Sequence, residues 1–129
     1  MYATDLPAAE RFYSTVLDLE AFARVPGRHV FFRCGRGVLL VFNPHETMKS
    51  GGETPPHGAE GPGHLAFAVA QDALPAWRER LARAGVAIET DVLWPRGGRS
   101  LYFRDPAGNS VELASPAIWG IPGGAESAV

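Results

Sequence analysis

Residues 101–113 read LYFRDPAGNSVEL, which is an alternating strand, a turn built on Asp-Pro-Ala-Gly-Asn and a second alternating strand. An earlier stretch, RHVFFR at residues 28–33, matches RSLYFR at residues 99–104. The tripeptide LPA also occurs twice, at residues 6–8 and at residues 74–76, and this pair has nearly the same spacing. Two matches in the same order at similar spacing indicate an internal repeat.

The hydrophobic pattern gives each half of the chain a strand, a helix and then two or three strands. An apolar stripe predicts a helix over residues 6–17, with Asp5 as its N-cap, and a second helix from Leu74 to the stop at Gly85. Residues 43–63 are rich in Gly and Pro, which predicts a linker or mobile loop without a packed element. Strands are expected at residues 29–33, 38–42, 63–70, 86–91, 99–104 and 110–114, with only a strand stub at residues 1–4.

The composition is that of an ordinary globular chain of 129 residues, with 46% hydrophobic and 20% charged residues. The 14 acidic and 12 basic residues give a net charge of -2, which argues against a dedicated nucleic-acid binder. The single cysteine, Cys34, excludes an internal disulfide and indicates an intracellular, cytoplasmic location. No apolar run approaches the roughly 20 residues of a membrane span. Charged Asp5, Glu10 and Arg11 interrupt the N-terminus too early for a secretory signal.

Three segments together resemble the vicinal oxygen chelate superfamily, which contains glyoxalase I, extradiol dioxygenases and bleomycin-binding proteins. They are DLPAAERFY at residues 5–13, GPGHLAF at residues 61–67 and the segment 101–113. The aromatic-Arg-Asp-Pro-x-Gly-Asn-x-x-Glu pattern is fairly specific for the superfamily, although it selects none of its reactions. The resemblance spans residues 2–119. It implies an α+β fold in which two tandem βαβββ modules curl into a cup, the first strand being apparently truncated.

The resemblance also implies how the chain is organised. Residues 1–129 are expected to be one domain, with module one at about 1–50, a linker at about 51–62 and module two at about 63–119. Members of the superfamily commonly pair as dimers, so a homodimer is expected. The other expected partner is a small-molecule substrate or ligand, and neither a nucleic acid nor a membrane is expected.

In the superfamily a divalent metal, where present, binds in the cup through the first and last strand of each module. Module two offers His64 and Glu112 at those positions, and an imidazole with a carboxylate suits Fe, Mn, Ni or Zn. Alternation places Glu112 on the opposite face of its strand from Val111 and Leu113, so it points into the cup if those two face the helices. A buried carboxylate needs a metal or an arginine as its partner. Glu112 is therefore both a metal-ligand candidate and a catalytic candidate.

Module one lacks the two corresponding ligands. The counterpart of His64 falls three or four residues before Met1, and the counterpart of the carboxylate falls at residues 39–41, which are all apolar. A site open to substrate needs about three protein ligands. Three explanations stay open: a histidine upstream completes the site, His45 or His57 from the loop substitutes for it, or the cup holds no metal.

The remaining site candidates are aromatic or basic. Tyr102 could position or protonate a bound oxygen, which makes it a catalytic candidate, and packing is the alternative that the sequence favours for it. Arg33 and Arg104 occupy equivalent positions in the repeat and could hold an anionic substrate; alternatively, each pairs with Asp105 or a neighbouring carboxylate. Phe67 is a candidate for substrate binding, with core packing as the alternative. Packing is likewise the default expectation for the other aromatic residues, Trp94 among them.

Two functions follow from this resemblance. The first is a metalloenzyme in which a divalent ion binds two neighbouring oxygens of a small substrate and stabilises an enolate or alkoxide, as in lyase, isomerase or dioxygenase chemistry. The second is a metal-free protein of the bleomycin-resistance type that sequesters a small molecule. The apolar residues 39–41 favour the second function, whereas His64 and Glu112 favour the first.

Overall fold

The computed structural model describes residues 1–121 and 129 and contains two β-sheets with helices packed against them, an α+β fold as predicted. The first sheet has the strand order β1-β2-β3, and the second has the order β4-β7-β6-β5. The strands are β1 (Ala21–Val25), β2 (His29–Cys34), β3 (Gly37–Phe42), β4 (His64–Ala68), β5 (Thr90–Leu93), β6 (Arg99–Arg104) and β7 (Ser110–Ala114).

The two sheets share one pattern of strand pairing. In the second sheet β4 pairs with β7 in parallel, and in the first Tyr2 forms an isolated parallel bridge with Phe42 at the end of β3. The backbone hydrogen bonds correspond: Ala3 N donates to Phe42 O at 2.9 Å, as Val69 N donates to Ala114 O at 3.0 Å. Residues 1–4 therefore stand where β4 stands in the other half. This confirms the predicted repeat and the predicted strand stub.

Two longer helices cover the sheets. Helix α1 (Leu6–Thr15) begins where the Asp5 side chain accepts a hydrogen bond from Ala8 N at 2.9 Å, and it ends slightly earlier than the predicted residue 17. Helix α3 (Leu74–Arg83) repeats the arrangement in the second half. In the part of the chain that the structure describes, no helix is long and apolar enough to cross a membrane.

The core lies between these helices and one face of each sheet. Side chains that alternate along the strands meet the apolar stripes of the helices there, and each large side chain that is fully buried contributes about 1.5–3 kcal/mol. The largest fully buried apolar side chains are Tyr13, Val30, Phe32, Val41, Val69, Leu81, Leu101, Phe103, Val111 and Leu113, with Leu17.

Three elements differ from the sequence prediction. Strand β1 was not predicted, because it is an edge strand with partly or fully exposed residues and no clear alternation. The prediction of no packed element in residues 43–63 was wrong, since a short helix α2 (Pro44–Thr47) begins there and buries Pro44 and Thr47. Strand β5 starts at Thr90, later than predicted, because Val86 and Ile88 pack against the core before it begins.

A buried polar turn joins the two halves. Asp105 is only 5% exposed and accepts hydrogen bonds from the Tyr13 hydroxyl at 2.8 Å and from Asn109 N at 2.8 Å. The Asn109 side chain accepts from Gly63 N at 2.7 Å and donates to Tyr2 O at 3.1 Å. Burial, and then the Asp105 carboxylate, raises the pKa of Tyr13, so this phenol stays a donor. The Asp-Pro-Ala-Gly-Asn motif therefore ties α1, the strand stub and the start of β4 together.

Candidate metal centre

Strands β4 and β7 bring the two predicted ligands to one face of the second sheet. Val111 and Leu113 are completely buried in the core, so Glu112, which lies between them, projects from the opposite face. On β4, Leu65 and Phe67 pack toward the core, and His64 therefore shares the face of Glu112. Glu112 therefore points away from the helices, as predicted for the case in which Val111 and Leu113 face them.

The two side chains are in direct contact. His64 Nε2 lies 3.1 Å from Glu112 Oε2, and His64 Nδ1 lies 3.2 Å from the carbonyl oxygen of Ser110. Tyr102 lies opposite Glu112 in the pairing of β6 with β7, and its hydroxyl donates to Glu112 Oε1 at 2.8 Å. The Glu112 side chain is 6% exposed and that of His64 is 54% exposed, so the pair is reached from the histidine side.

These contacts restrict where protons can lie. A neutral imidazole carries one N–H, so His64 donates either from Nδ1 to the carbonyl oxygen of Ser110 or from Nε2 to Glu112 Oε2. In the first form the Nε2 lone pair faces Glu112 Oε2, which is the arrangement that a metal cation needs in order to bind both side chains. A backbone carbonyl that accepts from the second ring nitrogen is also the usual support of a metal-binding histidine.

Tyr102 completes the polar group. Burial, followed by the hydrogen bond to Glu112 and the charge of Glu112, raises the pKa of the Tyr102 phenol. The hydroxyl is therefore protonated near neutral pH and donates its hydrogen bond to Glu112 Oε1. The other carboxylate oxygen, Oε2, faces His64. The rings of His64 and Tyr102 also stack, with centroids 6.2 Å apart.

A cavity of about 210 Å³ opens beside this polar group, lined by Trp94, Tyr102, Glu112, Ile118 and Trp119. The expectation that Trp94 packs in the core was wrong, because it follows β5 at the sheet edge and is 37% exposed. Trp119 lies in a short 3-10 turn, Pro116–Trp119, and is 53% exposed. Trp119 was not among the predicted site residues, and its position after the last predicted strand is the one sequence feature that could have pointed to it.

The described residues supply an incomplete ligand set. Within residues 1–121 and 129, no group of three or more His, Cys, Asp or Glu side chains could hold a metal ion. His57 lies elsewhere: its Nδ1 is 3.0 Å from the Tyr2 hydroxyl. His45 is exposed on α2. The donor types of His64 and Glu112 fit a divalent ion, and they provide two of the about three ligands that such a site needs.

The two predicted substrate-binding arginines both have acidic partners. Arg33 forms an ion pair with Glu20 at 3.3 Å, and Arg104 forms one with Glu89 at 2.9 Å. Of the alternatives considered, pairing with a neighbouring carboxylate is the one observed. Arg104 also borders a second cavity, of about 410 Å³, that Tyr102 shares. Only Arg104 therefore lies next to the candidate site.

Phe67 lies away from the candidate site. It is 3% exposed and belongs to the hydrophobic core. Because it alternates with His64 along β4, its ring lies on the other face of the sheet. The geometry favours core packing, the alternative that the sequence left open for this residue.

The first sheet carries apolar residues at the positions that correspond to the polar pair. Phe31 lies opposite Leu40 in the pairing of β2 with β3, as Tyr102 lies opposite Glu112 in the second sheet. Leu40 is 39% exposed, and Phe31 stacks on His29 with ring centroids 4.1 Å apart. The inner face of the first sheet thus offers no second carboxylate.

The chain thus contains a duplicated βαβββ unit, with a His and a Glu side by side on the sheet face opposite the core. These features are typical of one protein superfamily. Residues 1–113 match the family model of the Glyoxalase/Bleomycin resistance protein/Dioxygenase superfamily. The chain belongs to this superfamily, which confirms the resemblance seen in the sequence.

Three individual proteins of known structure or function are similar to this chain over most of its length. A solved structure of lactoylglutathione lyase from Agrobacterium tumefaciens is 43% identical, with a TM-score of 0.90, over 94% of this chain and 92% of that one. Metallothiol transferase FosB from Bacillus licheniformis is 28% identical over 117 residues, which are 90% of this chain and 71% of that protein. The fosfomycin resistance protein FosX from Mesorhizobium loti is 24% identical with a TM-score of 0.60, over 88% of this chain and 85% of that one, and it supports the fold alone.

Proposed function

We propose that this protein is a metal-dependent enzyme of the lactoylglutathione lyase type, acting on a small substrate with two neighbouring oxygens. The observation that carries the proposal is the 3.1 Å approach of His64 Nε2 to Glu112 Oε2, which places an imidazole and a carboxylate side by side on one face of the sheet, and these donor types suit a divalent ion. The 43% identity to a lactoylglutathione lyase supports this choice among the chemistries of the superfamily. The name of the FosB relative, a metallothiol transferase, supports a metal.

The chain's own residues have separate parts in this proposal. His64 and Glu112 would hold a divalent ion, whose chemistry when bound is Lewis-acid stabilisation of charge on neighbouring substrate oxygens. Tyr102 holds Glu112 Oε1 through its hydroxyl, and its raised pKa keeps that proton in place. Glu112 Oε2, which Tyr102 does not contact and which faces His64, is the carboxylate oxygen that would reach the ion or accept and return a proton at a substrate carbon.

We also propose that the protein works as a cytoplasmic homodimer. The described residues supply two ligands, so a third ligand has to come from elsewhere. The exposed side of His64 is open to a residue from a second copy of the chain. Sedimentation of the metal-loaded and metal-free protein tests this part, and a monomer in both states would contradict it.

Metal content measured by elemental mass spectrometry tests the proposal. The chain is purified without chelator beside a double variant, His64→Ala with Glu112→Ala, and a matched control, His45→Ala with Glu53→Ala, which removes the same residue types from an exposed segment. We expect about one divalent ion per chain in the wild type and in the control, and none in the double variant. His64→Gln with Glu112→Gln repeats the test with less change of volume.

Formation of lactoylglutathione from the hemithioacetal of methylglyoxal and glutathione by each metal-loaded form then tests the chemistry. A wild type that holds no metal, or a double variant that retains it, would refute the metal site. If the protein holds metal but shows no activity, the proposed metal site is supported and the proposed lyase activity is refuted. The alternative, a metal-free binding protein, is favoured by the apolar Leu40 and Phe31 at the module-one positions. It predicts ligand binding that is unchanged by chelator.

A further inference from the structure

We propose that Trp94 and Trp119 select substrates that carry a flat, uncharged apolar group beside the two chelating oxygens. This inference rests on the proposed function, because it assigns a substrate class to the same site. The cavity beside Glu112 is lined by Trp94, Ile118 and Trp119 together with Tyr102 and Glu112. Glu112 and Tyr102 would lie near the reacting oxygens, and the indole rings would contact the rest of the substrate.

The charge of the lining favours an uncharged group. Among the five residues that line the cavity, Glu112 is the one with a charge, and none is Lys, Arg or His. An anionic substituent placed there would find no cationic side chain among these residues to pair with, so the cost of its desolvation would not be compensated. A planar apolar substituent would instead gain the offset or edge-to-face contacts that indole rings make. Two arginines of the same sheet already have acidic partners: Arg104 is paired with Glu89, and Arg99 with Asp91.

One wall of the cavity is held in place by its own hydrogen bonds. Trp94 Nε1 donates to Ser100 Oγ at 2.9 Å, and Ser100 is completely buried. The backbone closes a tight turn, in which Trp94 N donates to Gly98 O at 3.0 Å. The indole orientation is therefore fixed by the sheet, so little conformational freedom is lost when a ligand packs against it.

Gly98 joins this wall to the other one. Its φ is +87°, and a Cβ built on it would lie 2.5 Å from Ile118 Cγ2 and 2.8 Å from Ser115 Oγ. The turn after β5 thus approaches the 3-10 turn that carries Ile118 and Trp119 more closely than any side chain would allow. Both walls are positioned by the same backbone contact, as expected of a preformed pocket.

The two indole rings expose apolar surface in the cavity that a bound ligand could cover. Trp119 is 53% exposed and Trp94 is 37% exposed, which are high values for tryptophan next to a buried carboxylate. A ligand that covers both rings removes this surface from water. Such a contact is worth about tenfold in affinity for one aromatic ring.

A matched pair of chelators tests the inference. Benzohydroxamic and acetohydroxamic acid bind a metal through the same two neighbouring oxygens, are uncharged in solution at neutral pH, and differ by a phenyl in place of a methyl group. Calorimetric titration of the zinc-loaded protein gives both dissociation constants. We expect the phenyl compound to bind the wild type about tenfold more tightly. Trp119→Ala, a change at an exposed position, should reduce this ratio to about two, and Leu93→Ala, at a residue 72% exposed, is the control that should leave it unchanged.

The outcomes separate the two proposals. If the phenyl and methyl compounds bind the wild type equally, or if Trp119→Ala leaves their ratio intact, the inference about substrate class is overturned while the metal site stands. If neither compound binds, the proposed function fails, and the inference fails with it. Trp94→Phe keeps an aromatic ring and should retain more of the ratio than Trp94→Leu. The reverse order would contradict a role for the flat surface.

Discussion

The substitution Asn109→Ala should destabilise the protein strongly, because this side chain holds several elements at once. Asn109 is 2% exposed, accepts from Gly63 N at 2.7 Å, and donates to Tyr2 O at 3.1 Å and to Asp105 Oδ2 at 2.9 Å. Two neutral hydrogen bonds contribute about 1 kcal/mol each, and the one to the carboxylate about 1.5 kcal/mol or more. The expected loss in the free energy of unfolding is therefore about 3–4 kcal/mol.

Urea unfolding followed by tryptophan fluorescence measures this loss. Asn43→Ala is the matched control, because Asn43 also uses both ends of its amide, accepting from His45 N at 3.1 Å and donating to Gly27 O at 3.0 Å, but at an exposed site. It caps the short helix α2 and should cost about 1 kcal/mol. Equal losses in the two variants, or a loss below about 1 kcal/mol for Asn109→Ala, would refute the argument that the buried turn joins the two halves.

Three further changes have defined outcomes. The pKa of Tyr13 is raised from its ordinary value of 10.0, so the stability that the Tyr13 hydroxyl contributes is present below about pH 10 and is lost as the pH rises. Above about pH 10 the free energy of unfolding should fall by about 1.4 kcal/mol per pH unit. In urea unfolding measured from about pH 9 to about 11, Tyr13→Phe should show a smaller dependence of this free energy on pH. Gly98→Ala should push Ile118 away and shift tryptophan emission, whereas a spectrum like that of the wild type would contradict the close approach. Tyr102→Phe frees one oxygen of Glu112 and should weaken zinc binding about 10-fold or more in competition with a chromophoric chelator; an unchanged affinity would contradict its supporting role.

The repeat and the orientation of the polar pair could be predicted because both depend on local patterns. Two pairs of matching segments indicated the repeat, the hydrophobic pattern gave the order of elements, and the alternation around Glu112 set the face to which its side chain points. The contact of Glu112 with His64 follows from parallel pairing, which brings residues distant in the sequence side by side.

Other features depend on tertiary contacts and leave little trace in the sequence. Nothing local marks Trp94 as a cavity residue, since its place is decided by a hydrogen bond to Ser100 and by the approach of the 3-10 turn. In the same way, Asp105 binds Tyr13 and not one of the arginines that were considered as its partners, because α1 packs over the turn. The helix α2 has an Asn-Pro start that is visible in the sequence, but the surrounding Gly and Pro residues obscured it.

The duplicated architecture allows two versions of the same sheet to be compared within one chain. Its two sheets share a strand order, yet one presents Tyr102 with Glu112 and the other presents Phe31 with Leu40 at equivalent positions. Phe31→Tyr combined with Leu40→Glu would therefore show whether two side chains are enough to create a second polar pair on this backbone, or whether the surrounding sheet is also needed.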